Sequence, residues 1–306
     1  MDNILVFGHK NPDTDSICAS LVEEFFDKQN GWNAEAVRLG NINKETQFVL
    51  DYLGIDAPRL IEEIEPNQSV ILVDHNEFSQ SAIGIEKAKI ESVVDHHRIA
   101  NFETSEPLYY LAKPYGCTCT ILFEEAQERN IPIDKKIATL MLSAIISDTL
   151  LFKSPTCTKY DKAAAEKLAK IANIDIDVYG MNMLKAGTDL SDFTPDELIN
   201  IDSKEFQNEA FKFQIAQVNT ACIDDVLKDK SSIEDAINNF INNKNLNLFI
   251  FLITDIINSN SQAIVLGSRI DVFEKAYNIV LENNMTFLEG VVSRKKQVAP
   301  IILNNL

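Results

Sequence analysis

The first half of the chain alternates short, almost wholly apolar runs with longer segments whose apolar residues recur at helical spacing. Residues 4–8, 34–39, 69–73 and 92–94 read as strands. Residues 15–28 (with Ile17, Leu21, Val22 and Phe25 in register), 44–53, 115–129, 135–150 and 159–171 read as helices, and Gly54 is placed to end the second of them. A strand with no polar alternation must be buried on both faces. Helices between successive strands supply that cover, which predicts a mostly parallel sheet flanked by helices. Residues 188–196, polar and containing Pro195, read as a linker. Beyond it the alternation resumes, with strands at 211–218, 246–254 and 262–266 and helices at 233–243 and 270–281. The expected fold is therefore α/β in two domains, 1–187 and 197–306, with a cleft between them. A chain of 306 residues also exceeds what one hydrophobic core ordinarily serves.

Charge narrows the function. Lys and Arg number 28 against 46 Asp and Glu, for a net charge of −18. Such a chain repels nucleic acid at long range, so a polyanionic ligand needs a local basic patch or bound cations. No apolar run reaches the roughly 18 residues that span a bilayer, and no basic-then-apolar leader is visible. Five scattered cysteines (Cys18, Cys117, Cys119, Cys157, Cys222) read as reduced thiols of a cytoplasmic protein, with a Cys-x-Cys metal site at Cys117 and Cys119 as the lesser reading.

The histidines carry the strongest chemical signal. All four (His9, His75, His96 and His97) lie in the first third, at or just after the end of an expected strand, and each has an aspartate nearby: Asp13 and Asp15, Asp74, Asp95. In a parallel sheet those strand ends form the ligand-binding rim. The Asp13-x-Asp15 pair aims two carboxylates at one locus, although Thr14 or Asp15 also suits the cap of the following helix. Asp148 follows a strongly apolar helix, where it opposes the helix dipole and, if buried, needs a cation. Mixed imidazole and carboxylate donors favour manganese or cobalt over magnesium or calcium. Basic residues suited to phosphate lie far downstream, in Ser293-Arg294-Lys295-Lys296-Gln297, with Lys204 as a further candidate.

His9-x-x-x-Asp13-x-Asp15, Asp74-His75-Asn76-Glu77, Asp95-His96-His97 and Ser147-Asp148-Thr149 resemble, in order and spacing, the N-terminal motifs of the DHH phosphoesterase superfamily. The Ser-Arg-Lys-Lys-Gln segment resembles that of one branch, the manganese-dependent (family II) inorganic pyrophosphatases. The resemblance implies a DHH metal-binding domain followed by a smaller DHHA2-like substrate-binding domain, with the active site in the cleft between them. It implies one Mn2+ held by His9, Asp13, Asp74 and Asp148 and a second by Asp15, Asp74, His96 and Asp148, so that Asp74 and Asp148 bridge. Co2+ or Mg2+ would be substitutes, and a further Mg2+ would arrive with the substrate. It makes His97 a substrate ligand and proton donor, gives Lys204, Arg294 and Lys295 the phosphates, and leaves His75 in a supporting position. The implied reaction is hydrolysis of pyrophosphate to two phosphates, with a metal-bridging hydroxide as nucleophile. A homodimer is implied too, through an exposed edge strand of the first domain. Two other readings stand beside it. One is a superfamily phosphoesterase acting on oligonucleotides, cyclic dinucleotides or polyphosphate, disfavoured because no histidine follows His97 and Gly267 and Gly290 are isolated. The other is a non-enzymatic metal or phosphate sensor.

Overall fold

The computed structural model describes residues 3–208 and 211–306. The chain divides into two compact units, Met1–Gly187 and Thr188–Leu306.

The first unit runs β1 (Ile4–Phe7), α1 (Thr14–Gln29), β2 (Ala34–Arg38), α2 (Lys44–Leu53), β3 (Arg59–Leu60), β4 (Ser69–Val73), β5 (Lys89–Asp95), β6 (Tyr109–Ala112), α3 (Thr118–Glu128), α4 (Lys135–Asp148), α5 (Lys159–Ala172) and α6 (Ile176–Gly187). Its six strands lie in the order β3-β2-β1-β4-β5-β6, and every pairing is parallel. The chain builds outward from β1 to β3, then returns to lay β4 on the other side of β1. The strand order therefore reverses between β1 and β4, and a crevice opens at their carboxyl ends. Leu5, Phe7, Val37, Val70, Leu72 and Val93 point to one face, where they pack on Ile61, Ile64, Ala82 and Ile85 of the connecting segments. Ile4, Val6, Ile71 and Val73 alternate to the other face and are equally buried, and α1 and α3 pack against the strands. Burial on both sides explains the unbroken apolar character of β1 and β4.

The second unit runs α7 (Pro195–Leu198), β7 (Ser203–Asn208), β8 (Phe211–Thr220), α8 (Ile223–Leu227), α9 (Lys230–Lys244), β9 (Leu248–Asp255), β10 (Asn260–Leu266), α10 (Ile270–Tyr277), β11 (Met285–Leu288), a π-helical turn (Arg294–Val298) and α11 (Ala299–Leu303). The sheet order is β11-β10-β9-β8-β7, with β8 and β9 parallel and the remaining pairs antiparallel. Phe249, Phe251 and Ile253 of β9 pack with Ile233 and Ile237 of α9, whereas Ile250 and Leu252 pack with Phe273 of α10 and Ile302 of α11. The sheet is thus covered on both faces.

Residues 188–196, expected as a linker, are built into this second unit. Thr188 Oγ1 accepts from the Ala221 amide (2.9 Å), Leu190 packs against the β9 core, and Thr194 and Glu197 form a capping box that opens α7. The elements that periodicity did not resolve are β3, β6, β7, β11, α6, α7, α8, the π-helical turn and α11. Four of them are short or solvent-facing strands.

Candidate metal centre

The sheet delivers the site. After β1 the chain passes Gly8, where a Cβ would lie 1.8 Å from Ser16 Oγ, so only glycine allows α1 to start this close to the strand. His9 follows, and Asp13 caps α1 by accepting from the Ser16 amide (3.0 Å). The cap is therefore Asp13 rather than Thr14 or Asp15. This leaves Asp15 in the first helical turn, fully buried. Asp74 follows β4 with a left-handed φ of 58°, a conformation aspartate tolerates better than most residues, and it turns its carboxylate into the crevice. Asp95 ends β5, with His96 and His97 next in the chain, and Asp148 is the last residue of α4.

Four donor groups result, each with ligand atoms within 4.8 Å of one another: Asp15, Cys117 and Cys119; Asp74, His96 and His97; and the two that carry the expected ligands, His9, Asp13 and Asp74, and Asp15, Asp74, His96 and Asp148. Asp74 stands in both of the expected groups; Asp148 stands only in the second of them. His9 Nε2 lies 3.4 Å from Asp13 Oδ2 and 3.4 Å from Asp74 Oδ2. His96 Nε2 lies 3.3 Å from Asp74 Oδ1 and 3.7 Å from Asp148 Oδ2. Such contacts are long for hydrogen bonds, but donors about 2.1 Å from a common ion stand about 3.0–3.4 Å apart at tetrahedral or octahedral angles. The imidazoles are pre-set for ligation. His9 Nδ1 donates to the Lys10 carbonyl (2.7 Å) and His96 Nδ1 to the Tyr115 carbonyl (3.0 Å), which turns each Nε2 toward the carboxylates.

The electrostatics call for cations. Burial and the neighbouring Asp74 push Asp15 up to about 6, and burial together with Asp15 and Asp74 pushes Asp148 well above the usual carboxylate range. Burial opposes charge on His9 and on His96. The facing carboxylates overrule it, raising His9 to about 11 and His96 to about 9. Asp74, buried yet held by both imidazoles, is driven below its ordinary value, and its Oδ2 accepts no hydrogen bond. Protons thus sit where divalent ions would relieve the same repulsion. The donor set, mostly carboxylate with one imidazole in each of the two expected groups, fits a pair of divalent ions such as Mn2+. Cys117 and Cys119 also approach Asp15, but burial pushes both thiols up and keeps them protonated, so they read as packing groups.

His97 behaves differently from its neighbours. It is half-exposed, and its Nδ1 bonds the Asp95 carboxylate (2.9 Å) rather than a carbonyl, which raises its pKa. Asp95 is fully buried and also accepts from the His97 amide (3.0 Å) and from Asn76 Nδ2 (2.6 Å). Asn76 in turn binds the Arg98 carbonyl and the Ala100 amide, tying the turn after β4 to the turn after β5. His75 is buried, donates from Nδ1 to the Val73 carbonyl, and is held down to about 4 by burial, so it is neutral. A cavity of 340 Å3 opens along His9, Asp74, His75 and His97. Asp95 and Asn76 were given no role in the sequence reading, although their positions inside two of the motifs were a signal.

The cations of the second unit sit on its own framework. Arg294 opens the π-helical turn. Its amide bonds Gln217 Oε1 (2.9 Å), its Nη2 bonds Asp202 (2.6 Å), and its Nε is buried without a partner. Gln297 accepts from the amides of Val292 and Ser293, which fixes the turn. Lys295 is exposed, as is Lys204, whose Nζ lies over the Phe206 ring at 5.6 Å.

Comparison with known proteins agrees with this geometry. The family model for the DHH family, N-terminal domain, matches residues 3–145, and that for the DHHA2 domain matches 181–305. The chain is 54% identical over 303 residues to the manganese-dependent inorganic pyrophosphatase of Bacillus subtilis, covering 99% of this chain and 98% of the relative. A solved structure from Methanococcus jannaschii, provisionally assigned as a family II inorganic pyrophosphatase, matches with a TM-score of 0.62 and 42% identity, covering 99% of both chains. With its donor groups in place and its full length matched, the chain belongs to the manganese-dependent (family II) inorganic pyrophosphatases.

Proposed function

We propose that this protein hydrolyses inorganic pyrophosphate to two phosphates, using two Mn2+ ions held in the first unit. The observation that carries the reading is the pair of imidazole–carboxylate groups sharing Asp74, in a chain of such high full-length identity to a manganese-dependent pyrophosphatase. His9, Asp13 and Asp74 hold one ion; Asp15, Asp74, His96 and Asp148 hold the other. Co2+ or Mg2+ can substitute, and Mg2+ accompanies the substrate. When bound, the ions would supply Lewis acidity, lowering the pKa of a coordinated water and drawing charge from the phosphate oxygens.

The rest is the work of side chains. Asp74 presents one oxygen to each donor group and fixes their separation. His97, kept protonated by Asp95, gives its Nε2 proton to the departing phosphate, worth about 10²–10⁴-fold in rate. Lys204, Arg294 and Lys295 hold phosphate oxygens, Arg294 through its planar fork. Residues 1–187 thus act as the metal-binding domain and 197–306 as the substrate-binding domain.

A homodimer is part of the reading. It is supported by β6, an edge strand whose second side is unpaired among the described residues and whose Tyr109 is exposed. A cytoplasmic setting is supported by five cysteines, all free. The test is phosphate release after chelator treatment, with Mn2+ or Mg2+ restored, from pyrophosphate, a dinucleotide and a long polyphosphate. Rapid Mn2+-dependent release from pyrophosphate alone is expected. Turnover confined to the dinucleotide or polyphosphate would move the protein to another branch, and no turnover with any of them would make it a sensor.

A further inference from the structure

The first residue of α3 touches two carboxylates of the metal centre at once. Cys117, the N-cap, makes no side-chain capping bond. The capping is done instead from 103 residues away: Asp15 Oδ2 accepts from the Thr118 amide (2.7 Å) and Asp15 Oδ1 from the Cys119 amide (3.2 Å). The hydroxyl of Thr118, fully buried, donates to Asp74 Oδ1 (3.0 Å). Asp74 Oδ1 is the oxygen that faces His96, and Oδ2 is the one that faces His9.

Asp74 turns one oxygen toward each donor group, and that division depends on the rotation of its carboxylate. Its terminal torsion is broad and supplies little restoring force of its own. Of the contacts to Asp74, those from His9 and His96 run through imidazole nitrogens that ligation would redirect to the ions. The hydroxyl of Thr118 would stay in place. We infer that Thr118 is a positioning residue of the metal centre, its hydroxyl locking the rotation of the Asp74 carboxylate while its backbone holds Asp15. The inference rests on the two-ion reading above. It assigns to a residue outside the four histidine and aspartate motifs the division of Asp74 between the two donor groups.

The experiment compares Thr118→Val, Thr118→Ser and Thr118→Ala with the unmodified full-length chain. Mn2+ is titrated and free ion is followed by electron paramagnetic resonance, with the exchange-coupled signal of a neighbouring Mn2+ pair as second readout. Valine keeps the volume and removes the donor, so Mn2+ affinity should fall about 10–100-fold and the coupled signal should weaken. Serine keeps the donor and should stay within a few-fold of the unmodified chain. A role in packing alone predicts the reverse order, with valine tolerated and serine the worse. If the valine variant does not fold by circular dichroism, alanine against serine isolates the hydroxyl in the same way. Equal Mn2+ affinity with and without the hydroxyl overturns the inference. An unmodified chain that binds no Mn2+ pair would instead overturn the two-ion reading itself.

Discussion

Each imidazole of the site is pinned by the nitrogen that faces away from the chemistry, and what pins it sets what it can do. A carbonyl behind His9 and His96 fixes a tautomer without adding charge, which suits a neutral ligand. A buried carboxylate behind His97 stabilises the imidazolium, which suits an acid. Asp95→Asn should therefore leave Mn2+ stoichiometry intact and lower kcat by about 10²-fold. With the charge gone, the pKa of His97 falls, and a general acid is lost by deprotonation as pH rises. The alkaline limb of the kcat profile should therefore move to lower pH, and an unmoved limb would detach Asp95 from the proton transfer. That His9, His96 and the aspartates would gather at one rim was readable in the sequence, because a histidine just past an apolar strand in a parallel sheet has few places to point. The contacts of Thr118 were not, since they depend on partners that only folding brings close. The Thr118–Asp15 bond spans 103 residues, and the Asp74–Thr118 bond spans 44.

At the scale of elements, the strands central to the sheet announced themselves by continuous burial, whereas β3 and β6, at the sheet edges and partly wetted, left no such pattern. The helix expected to run to residue 150 stops at Asp148 because Leu150, Leu151 and Phe152 adopt left-handed φ values of 46°, 53° and 67°. Each costs about 1–2 kcal/mol for a residue with a Cβ, a penalty that local propensity would never predict. Thr149 Oγ1 accepts from the Phe152 amide, and Leu151 seats against Gly180 of α6, which hold the turn directly behind Asp148. A second unannounced feature lies where α1 meets α3. Glu23 is buried there beside Asp27, Glu125 and Arg129, and burial, with Asp27 and Glu125, pushes it up to about 8. The folded chain therefore keeps a proton that the unfolded chain has released between about pH 4.5 and 8, so stability falls as pH rises through that window and levels off above it. Glu23→Gln should leave the melting temperature unchanged near pH 4 and stabilise the protein by roughly 1–3 kcal/mol at pH 9. A variant no more stable than the parent at pH 9 would show that Glu23 is ionised at no cost.

For the molecule as a whole, an acidic chain that acts on a polyanion has to reverse its own sign at the site. In the proposed reading it does so with divalent ions gathered by one unit and with Lys204, Arg294 and Lys295 of the other, against a net charge of −18. That division is proposed from the placement of histidines in one third of the sequence and of the Arg-Lys-Lys run near its end. What the polar composition of residues 188–196 did not announce is the packing of Leu190 on the second core and the capping box that opens α7. The donor groups all lie in the first unit, so metal removal should destabilise that unit specifically. A ligand that binds only the folded state at 100 times its Kd adds about 2.7 kcal/mol. In a unit of this size that amounts to roughly 5–10 °C of melting temperature. The sites share Asp74, so two ions will add less than twice the effect of one. Calorimetry of the full chain with Mn2+ and with excess chelator should show one transition that moves by this amount and one that does not. Equal movement of both transitions, or of neither, would mean that the carboxylates of the first unit are satisfied without the ions.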